Sequence, residues 1–277
     1  KNFGLQPKPS VITFPNAKIN LGLQILRKRT DGYHDISSLF LPIPLQDVLE
    51  IVEAKSLSFT SSGLPIPGNS DDNLCLKAYQ LLQRDFALPP LSIHLHKAIP
   101  MGAGLGGGSA DGAFMLVMLN KKFELGLSDT RLQDYAAQLG SDCPFFVKNQ
   151  PAMALGRGTE LTPFPTDLNG YHLLLVFPGI HIGTKEAYAG VKPNDRQQGI
   201  TDILSQPIEK WKGQLVNDFE QSVFSNHPAL KEVKEKLYAN EAVYASMTGS
   251  GSTMYGIFED KPKAKLAGEM SSWTTML

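Results

Sequence analysis

Between Gly102 and Ser109 the chain reads Gly-Ala-Gly-Leu-Gly-Gly-Gly-Ser, flanked by Ile99-Pro100-Met101 before it and Ala110-Asp111-Gly112 after it. So many glycines in one short loop carry a large entropic cost, because glycine loses more backbone freedom on folding than any other residue. The loop lies between a strand-like run, Leu91 to His96, and a helix-like run, Ala110 to Lys121. A glycine loop opening onto a helix N-terminus presents backbone N–H groups to an anion. A phosphate cradle is the first expectation, and a flexible turn is the plainer alternative. A second cluster, Met247-Thr248-Gly249-Ser250-Gly251-Ser252, stands ahead of the final strand-like run. It too reads as a flexible turn or as the second wall of one nucleotide site.

Phosphoryl transfer is mostly positioning plus charge stabilisation, with one residue to orient or deprotonate the acceptor hydroxyl. That chemistry calls for a fixed cation and a carboxylate. Lys18 stands mid-strand on the face shared with Asn20, as a directed cation or a solvated strand lysine. Asp142 follows Gly140-Ser141 and precedes Cys143-Pro144-Phe145-Phe146, which sets a charge against an apolar segment. The other reading of Asp142 is a helix N-cap or turn aspartate. Tyr33 and His34, after Asp31-Gly32, offer a stacking face and a hydrogen-bonding edge, or form an exposed turn pair. His94 and His96 share a strand face, but nothing nearby completes a metal-ligand set. They read more simply as solvent-facing strand histidines.

Other phosphate loops fit poorly. Gly102-x-Gly104-x-x-Gly107 matches the dinucleotide pattern, but that pattern needs a second strand with an acidic residue about 20 residues on. Glu124 to Gln138 reads as loop and helix instead. No Gly-Lys dipeptide exists, which removes a Walker A loop. No His-Arg-Asp or Asp-Phe-Gly follows the loop, and no Gly-x-Ser-x-Gly nucleophile elbow is present.

The elements that must position these residues follow from periodicity. Asn16 to Leu26 alternates, with Ile19, Leu21, Leu23 and Ile25 opposite Lys18, Asn20, Gly22 and Gln24, which predicts a half-buried strand. Asp31-Gly32 predicts a hairpin into a second apolar run, Leu39 to Ile43. Val48 to Thr60 reads as further strand, Ser61 to Ser70 as loop and Asn73 to Asp85 as a helix. A helix over about Thr130 to Leu139 stops at Gly140. Pro151 to Leu161 predicts a hairpin turning at Gly156-Arg157-Gly158. Tyr171 to Phe177 predicts a strand, Thr184 an N-cap, Phe224 to Ala239 one helix and Thr253 to Phe258 a strand. Pro163 to Asn169 is rich in Pro, Asp and Thr, and a domain boundary is placed there: 1–165 as an N-terminal domain, 166–277 as a C-terminal domain. Strands and helices mix without strict alternation, so the fold class is α+β.

Bulk composition sets the remaining bounds. The 277 residues are 42% hydrophobic and 19% charged, ordinary for a globular chain, with formal net charge -1. No global basic field points to nucleic acid or an acidic membrane. Cys75 and Cys143 form no disulfide framework, which suits a reducing compartment. No apolar run approaches the length of a membrane span, and Lys1 to Ser10 has no signal-peptide core. The expected setting is cytoplasmic, and a mature plastid protein would have the same composition.

Five segments carry a resemblance. Pro15-Asn16-Ala17-Lys18-Ile19-Asn20-Leu21-Gly22-Leu23, Asp31-Gly32-Tyr33-His34, Pro100 to Ala110, Gly140-Ser141-Asp142-Cys143-Pro144-Phe145-Phe146 and Thr248-Gly249-Ser250-Gly251 occur in the order seen in the GHMP kinase superfamily. The match spans about Phe14 to Phe258. The first two motifs resemble those of the branch acting on 4-diphosphocytidyl-2-C-methyl-D-erythritol. Mevalonate kinases and galactokinases typically end the first motif in Gly-Glu-His, where this chain has Gly22-Leu23-Gln24. The resemblance implies an N-terminal domain like the second domain of ribosomal protein S5 and a ferredoxin-like C-terminal domain. It implies a kinase of the non-mevalonate isoprenoid pathway that uses ATP to phosphorylate the substrate's 2-hydroxyl, with Mg2+ carried mainly by the nucleotide and no protein metal ligand assigned.

The resemblance also distributes the roles. Asp142 is the base, and Lys18 holds it and stabilises charge. Pro100, Met101, Gly102, Ala103, Gly104, Leu105, Gly106, Gly107, Gly108, Ser109 and Ala110 wrap the ATP phosphates. Asn20, Tyr33, His34, Thr184 and Tyr188 bind the cytidylated alcohol, with Tyr33 stacking on cytosine and Tyr188 covering its second face. The expected partner is this small molecule, with no nucleic acid or membrane, and the chain acts as a monomer or homodimer. Cys143 stands where a valine is more common and packs as a small hydrophobe.

Overall fold

The computed structural model describes residues 9–194, 198–262 and 270–277. In chain order the elements begin with β1 (Val11–Thr13), β2 (Asn16–Lys28), β3 (His34–Gln46), β4 (Val48–Glu53), β5 (Ser58–Gly63), α1 (Leu74–Gln83), β6 (Leu91–Lys97), α2 (Gly107–Lys122), α3 (Asp129–Leu139) and α4 (Cys143–Lys148). They continue with β7 (Ala152–Gly156), β8 (Glu160–Pro163), β9 (His172–Phe177), α5 (Thr184–Ala189), α6 (Ile200–Leu204), α7 (Phe219–Asn226), α8 (Pro228–Ala239), β10 (Tyr244–Met247), β11 (Met254–Phe258) and β12 (Ser271–Met276). The chain is α+β. It forms two compact units that interleave in sequence, one of Lys1–Ala17, Leu45–Met101 and Gly107–Lys148, the other of Lys18–Pro44, Gly102–Gly106 and Asn149–Leu277.

In the first unit β1, β4, β6 and β5 form one sheet in that order. Its alternation is read directly from sequence: Leu49 faces Leu95 and Ile51 faces Ile93 across β4 and β6, and all four are fully buried. β5 runs parallel to β6, and α1 makes the crossover that a parallel pair needs. Asn73 caps α1 by accepting the Cys75 N–H at 2.9 Å. Helices α1, α3 and α4 pack against α2. The expected continuous strand over Val48 to Thr60 is two strands, broken at Ala54 to Leu57, and β5 runs on into the segment expected to be loop.

The second unit holds two sheets, β2-β3-β7-β8 and β10-β11-β9-β12. The β2–β3 hairpin turns at Asp31-Gly32, where Arg29 N–H donates to Tyr33 carbonyl at 2.8 Å. The β7–β8 hairpin turns at Gly156-Arg157-Gly158, as its glycines predict. α8 packs on β10 and β11, beside the antiparallel sheet. Its core includes Leu174, Val176, Leu230, Leu237, Met254 and Phe258.

Three expectations fail locally for stated reasons. β2 is buried on both faces, not one, because its polar residues are tied to internal partners. The helix expected over Phe224 to Ala239 is two, α7 and α8. Pro228 drives His227 out of the helical region, to φ -132° and ψ 73°. The N-cap of α5 is Gly183, with Thr184 as the first helical residue.

Candidate active site

In the second unit β2 delivers Lys18 and Asn20 into a buried polar knot, at 3% and 2% exposure. The Lys18 ammonium donates to Asn20 Oδ1 at 2.6 Å and to the Gly104 carbonyl at 3.4 Å, and lies 4.8 Å from the centre of the Phe40 ring. A solvated strand lysine is therefore the wrong description: its charge has a fixed direction beside the glycine loop. Asn20 spends its amide on the fold. Its nitrogen donates to Ser38 at 2.8 Å, and its oxygen also accepts the Gly249 N–H at 3.0 Å.

The two small-residue loops meet here. Thr248 Oγ1 donates to the Gly104 carbonyl at 3.1 Å and accepts the Asn20 N–H at 3.1 Å. Gly102, Gly104 and Gly106 all have φ between 65° and 79°, the left-handed region that favours glycine. A Cβ at Gly104 would lie 2.1 Å from the Thr248 carbonyl oxygen, so glycine is needed there for space as well as for φ. The Lys18 N–H donates to the Leu105 carbonyl at 2.9 Å, which fixes the loop to β2.

In the first unit the loop's ends come together with the Asp142 segment. α2 begins at Gly107, three residues earlier than its apolar pattern shows, so Gly107, Gly108, Ser109 and Ala110 form its first turn. Asp142 immediately precedes α4 and its carbonyl accepts the Phe145 N–H at 3.2 Å. A Cβ at Gly140 would stand 3.3 Å from Cys143 Sγ and 4.0 Å from Ser109 Oγ, so the Gly-Ser-Asp-Cys turn lies against the start of α2. Burial pushes the Cys143 thiol up to about 12, in line with an inert packing role. Pro100 and Met101 lead in from β6, and the Met101 side chain is partly exposed.

The aromatic pair sits at the β2–β3 turn in the second unit. Tyr33 is half exposed, and the Arg157 guanidinium lies 3.6 Å from its ring centre. His34 stacks on Tyr188 of α5, with ring centres 4.7 Å apart and planes at 21°. Tyr188 also meets Phe219 edge-on at 4.8 Å. Burial, with Lys28 adding, holds the His34 imidazole below its ordinary value, so it is neutral at pH 7 and offers one donor and one acceptor. Thr184 is one turn before Tyr188 on α5, exposed at the helix start.

His94 and His96 have the plainer role. His94 bonds Thr60 and Ser62 hydroxyls at 2.8 and 3.0 Å, and His96 bonds Ser62 at 3.0 Å, across the β5–β6 pair. Among the described residues no group of three or more His, Cys, Asp or Glu stands together that could hold a metal ion, and no helix is long and apolar enough to cross a membrane. Sequence reasoning missed Asn217, whose amide donates to the Met247 and Gly249 carbonyls at 2.8 and 2.9 Å and holds the second loop. Nothing local marks it, because its work is on backbone 30 residues away in sequence.

Comparison with known proteins identifies the family. The family model for the GHMP kinases N terminal domain matches residues 73–156, and that for GHMP kinases C terminal matches residues 207–271. A protein of Cytophaga hutchinsonii called 4-diphosphocytidyl-2-C-methyl-D-erythritol kinase is 54% identical, covering 91% of this chain and 94% of its own length. The protein of the same name from Bacteroides thetaiotaomicron is 50% identical over 90% of this chain and 92% of its own. A solved structure of 4-(cytidine 5'-diphospho)-2C-methyl-D-erythritol kinase superposes with TM-score 0.80 at 31% identity, covering 95% of this chain and 98% of that one. The Methanococcus jannaschii mevalonate kinase shares the fold at TM-score 0.72 and 13% identity, over 97% and 99% of the two chains. The chain belongs to the 4-diphosphocytidyl-2-C-methyl-D-erythritol kinase family of the GHMP kinases.

Proposed function

We propose that this chain transfers the γ-phosphoryl group of ATP to the 2-hydroxyl of 4-diphosphocytidyl-2-C-methyl-D-erythritol, giving the 2-phosphate and ADP, in the non-mevalonate route to isoprenoids. The observation that carries the reading is the meeting of the glycine loop with a directed ammonium. Lys18 and Thr248 both bond the Gly104 carbonyl, in a chain 54% identical to a relative named for this activity.

Each residue then has a task. Pro100 to Ala110 wrap the triphosphate, with backbone N–H groups supplied from Met101 onward and aided by the start of α2. Lys18 stabilises the charge of the transferring group, and Asp142 deprotonates or orients the acceptor hydroxyl. Tyr33, His34, Thr184 and Tyr188 hold the cytidylated alcohol, while Asn20, expected from sequence to join them, has its amide committed to Lys18, Ser38 and Gly249 and positions the Lys18 ammonium instead. Mg2+ arrives with ATP, where it neutralises phosphate oxygens. The domains 1–165 and 166–277 are proposed as sequence modules; the two compact units interleave across that boundary. We place the enzyme in the cytoplasm, as a monomer or homodimer without nucleic-acid or membrane partners.

The cytosine assignment gives a direct test. Tyr33→Ala removes a stacking face that is worth about 1–3 kcal/mol in comparable base contacts. The KM for the cytidylated alcohol is expected to rise roughly 5- to 150-fold, with the KM for ATP nearly unchanged. Steady-state kinetics in both substrates checks this, and an equal rise in the two KM values would remove Tyr33 from the cytosine subsite. His34→Ala is expected to act in the same direction.

A further inference from the structure

Three charged side chains are buried together in the first unit, outside every role assigned so far. Lys97 ends β6, Asp47 lies between β3 and β4, and Asp111 is in the second turn of α2. Their side chains are 0%, 0% and 4% exposed. The Lys97 ammonium donates to Asp47 Oδ2 and, at 2.9 Å, to Asp111 Oδ2. Asp47 Oδ1 accepts the Ala98 and Ile99 N–H groups at 2.6 and 2.9 Å. A Cβ at Gly107 would stand 3.1 Å from the Lys97 nitrogen and 2.8 Å from Ile99. One ammonium is thus bonded to the carboxylate that grips residues 98–99 and to the helix that opens at Gly107. These are the two stems of the glycine loop.

We propose that Asp47, Lys97 and Asp111 form a buried clamp that positions the two stems of the phosphate loop for ATP. The inference rests on the reading of that loop as the triphosphate cradle. Two carboxyl groups share one ammonium away from water, so a fully ionised cluster would hold a net negative charge beneath a site for a polyanion. A proton on one carboxyl removes that charge. Asp111 is the group that holds it: its Oδ1 is buried without a hydrogen-bond partner, whereas Asp47 accepts three bonds. Burial, with Asp47 adding and Lys97 opposing, pushes the Asp111 carboxyl up to about 8. The elements packed around α2 carry Lys77 on α1, Asp129, Arg131 and Asp134 on α3, and Lys148 on α4, besides groups raised away from this range. Cys75 on α1 is pushed well up by burial, Cys143 on α4 and Tyr135 on α3 are also raised, and β1 carries none.

The sign of the pH effect follows. The folded chain keeps a proton that the unfolded chain releases near pH 4, so this site's stabilisation is full below that pH and is lost as pH rises to about 8. The experiment compares the full-length wild type with Asp111→Asn and Asp111→Ala. Between about pH 5 and about pH 8 the melting temperature of the wild type is expected to fall by about 3 °C or more relative to Asp111→Asn. At neutral pH Asp111→Ala is expected to raise the KM for MgATP about tenfold while kcat changes less than about threefold, and Asp111→Asn, which still accepts from Lys97, is expected to restore it. Parallel melting profiles for wild type and Asp111→Asn overturn the proposal. So does an alanine variant with an unchanged KM for MgATP, or with kcat and both KM values disturbed alike. If Asp111→Ala does not fold, the melting comparison decides alone. Wild type that fails to bind MgATP counts against the kinase reading, and the melting profiles separate that failure from failure of the clamp.

Discussion

Asp142→Asn is expected to lower kcat by roughly 10²–10⁴-fold, the usual contribution of a positioned general base, while the Kd for ATP stays within about threefold. The change is nearly isosteric and removes only the charge and the proton affinity of the carboxyl. Asp142 is half-buried at the turn immediately before α4. The pairing of a lost rate with retained nucleotide binding is the informative part. Calorimetry with ATP together with single-turnover kinetics measures both. Wild-type turnover in Asp142→Asn would end its assignment as base, and loss of ATP binding would make it a structural residue of the loop.

Gly104→Ala is expected to destabilise the chain strongly. Two costs add. Its φ of +79° puts an L side chain in the left-handed region, and the new carbon would lie 2.1 Å from the Thr248 carbonyl and 3.2 Å from that of Gly251. Both neighbours are backbone, so neither can rotate away. Strain and overpacking together cost about 3 kcal/mol or more, which corresponds to a melting point about 6–12 °C lower for a chain of this size. Gly170→Ala is the matched control, because Gly170 has φ +89° and nothing within 4 Å. It carries the conformational cost alone, about 1 kcal/mol. Equal melting points for the two variants would show that the Gly104–Thr248 approach is not held in solution. Gly104→Ala is also expected to lose the thermal response to ATP, since the Lys18 contact moves with the loop.

The two predictions draw on different parts of the sequence, and they show where the sequence is legible. Periodicity marked β2 and β6, and Asp-Gly or Gly-x-Gly punctuation marked the two hairpin turns, because both are local signals. The glycine loop was visible as a tight, left-handed connection into a helix for the same reason. Helix α2 starts inside the loop, against the poor helix propensity of Gly107 and Gly108, and a Cβ at position 107 would crowd Ile99 and Lys97, which accounts for the glycine there. The break between α7 and α8 had a local cue, Pro228, that the apolar spacing on both sides obscured. Lys18 looked like a candidate cation, but the carbonyl that fixes its direction belongs to Gly104, far away in sequence. The Asp47–Lys97–Asp111 cluster had no local sign at all: its bonds span 50 and 14 residues. Buried polar networks are specified by tertiary packing, and each member alone resembles a surface charge.

The chemistry assigned to Lys18, Asp142 and the two small-residue loops converges on one reaction, and one assay addresses it. The purified chain is incubated with MgATP, with and without 4-diphosphocytidyl-2-C-methyl-D-erythritol, and ADP release is followed alongside the phosphorylated alcohol. The expected result is ADP formed one for one with the 2-phosphate, only when the cytidylated alcohol is present, and no product with mevalonate or homoserine in its place. ADP release that ignores the cytidylated alcohol, or equal turnover of an alcohol without the cytidine diphosphate group, would contradict the account.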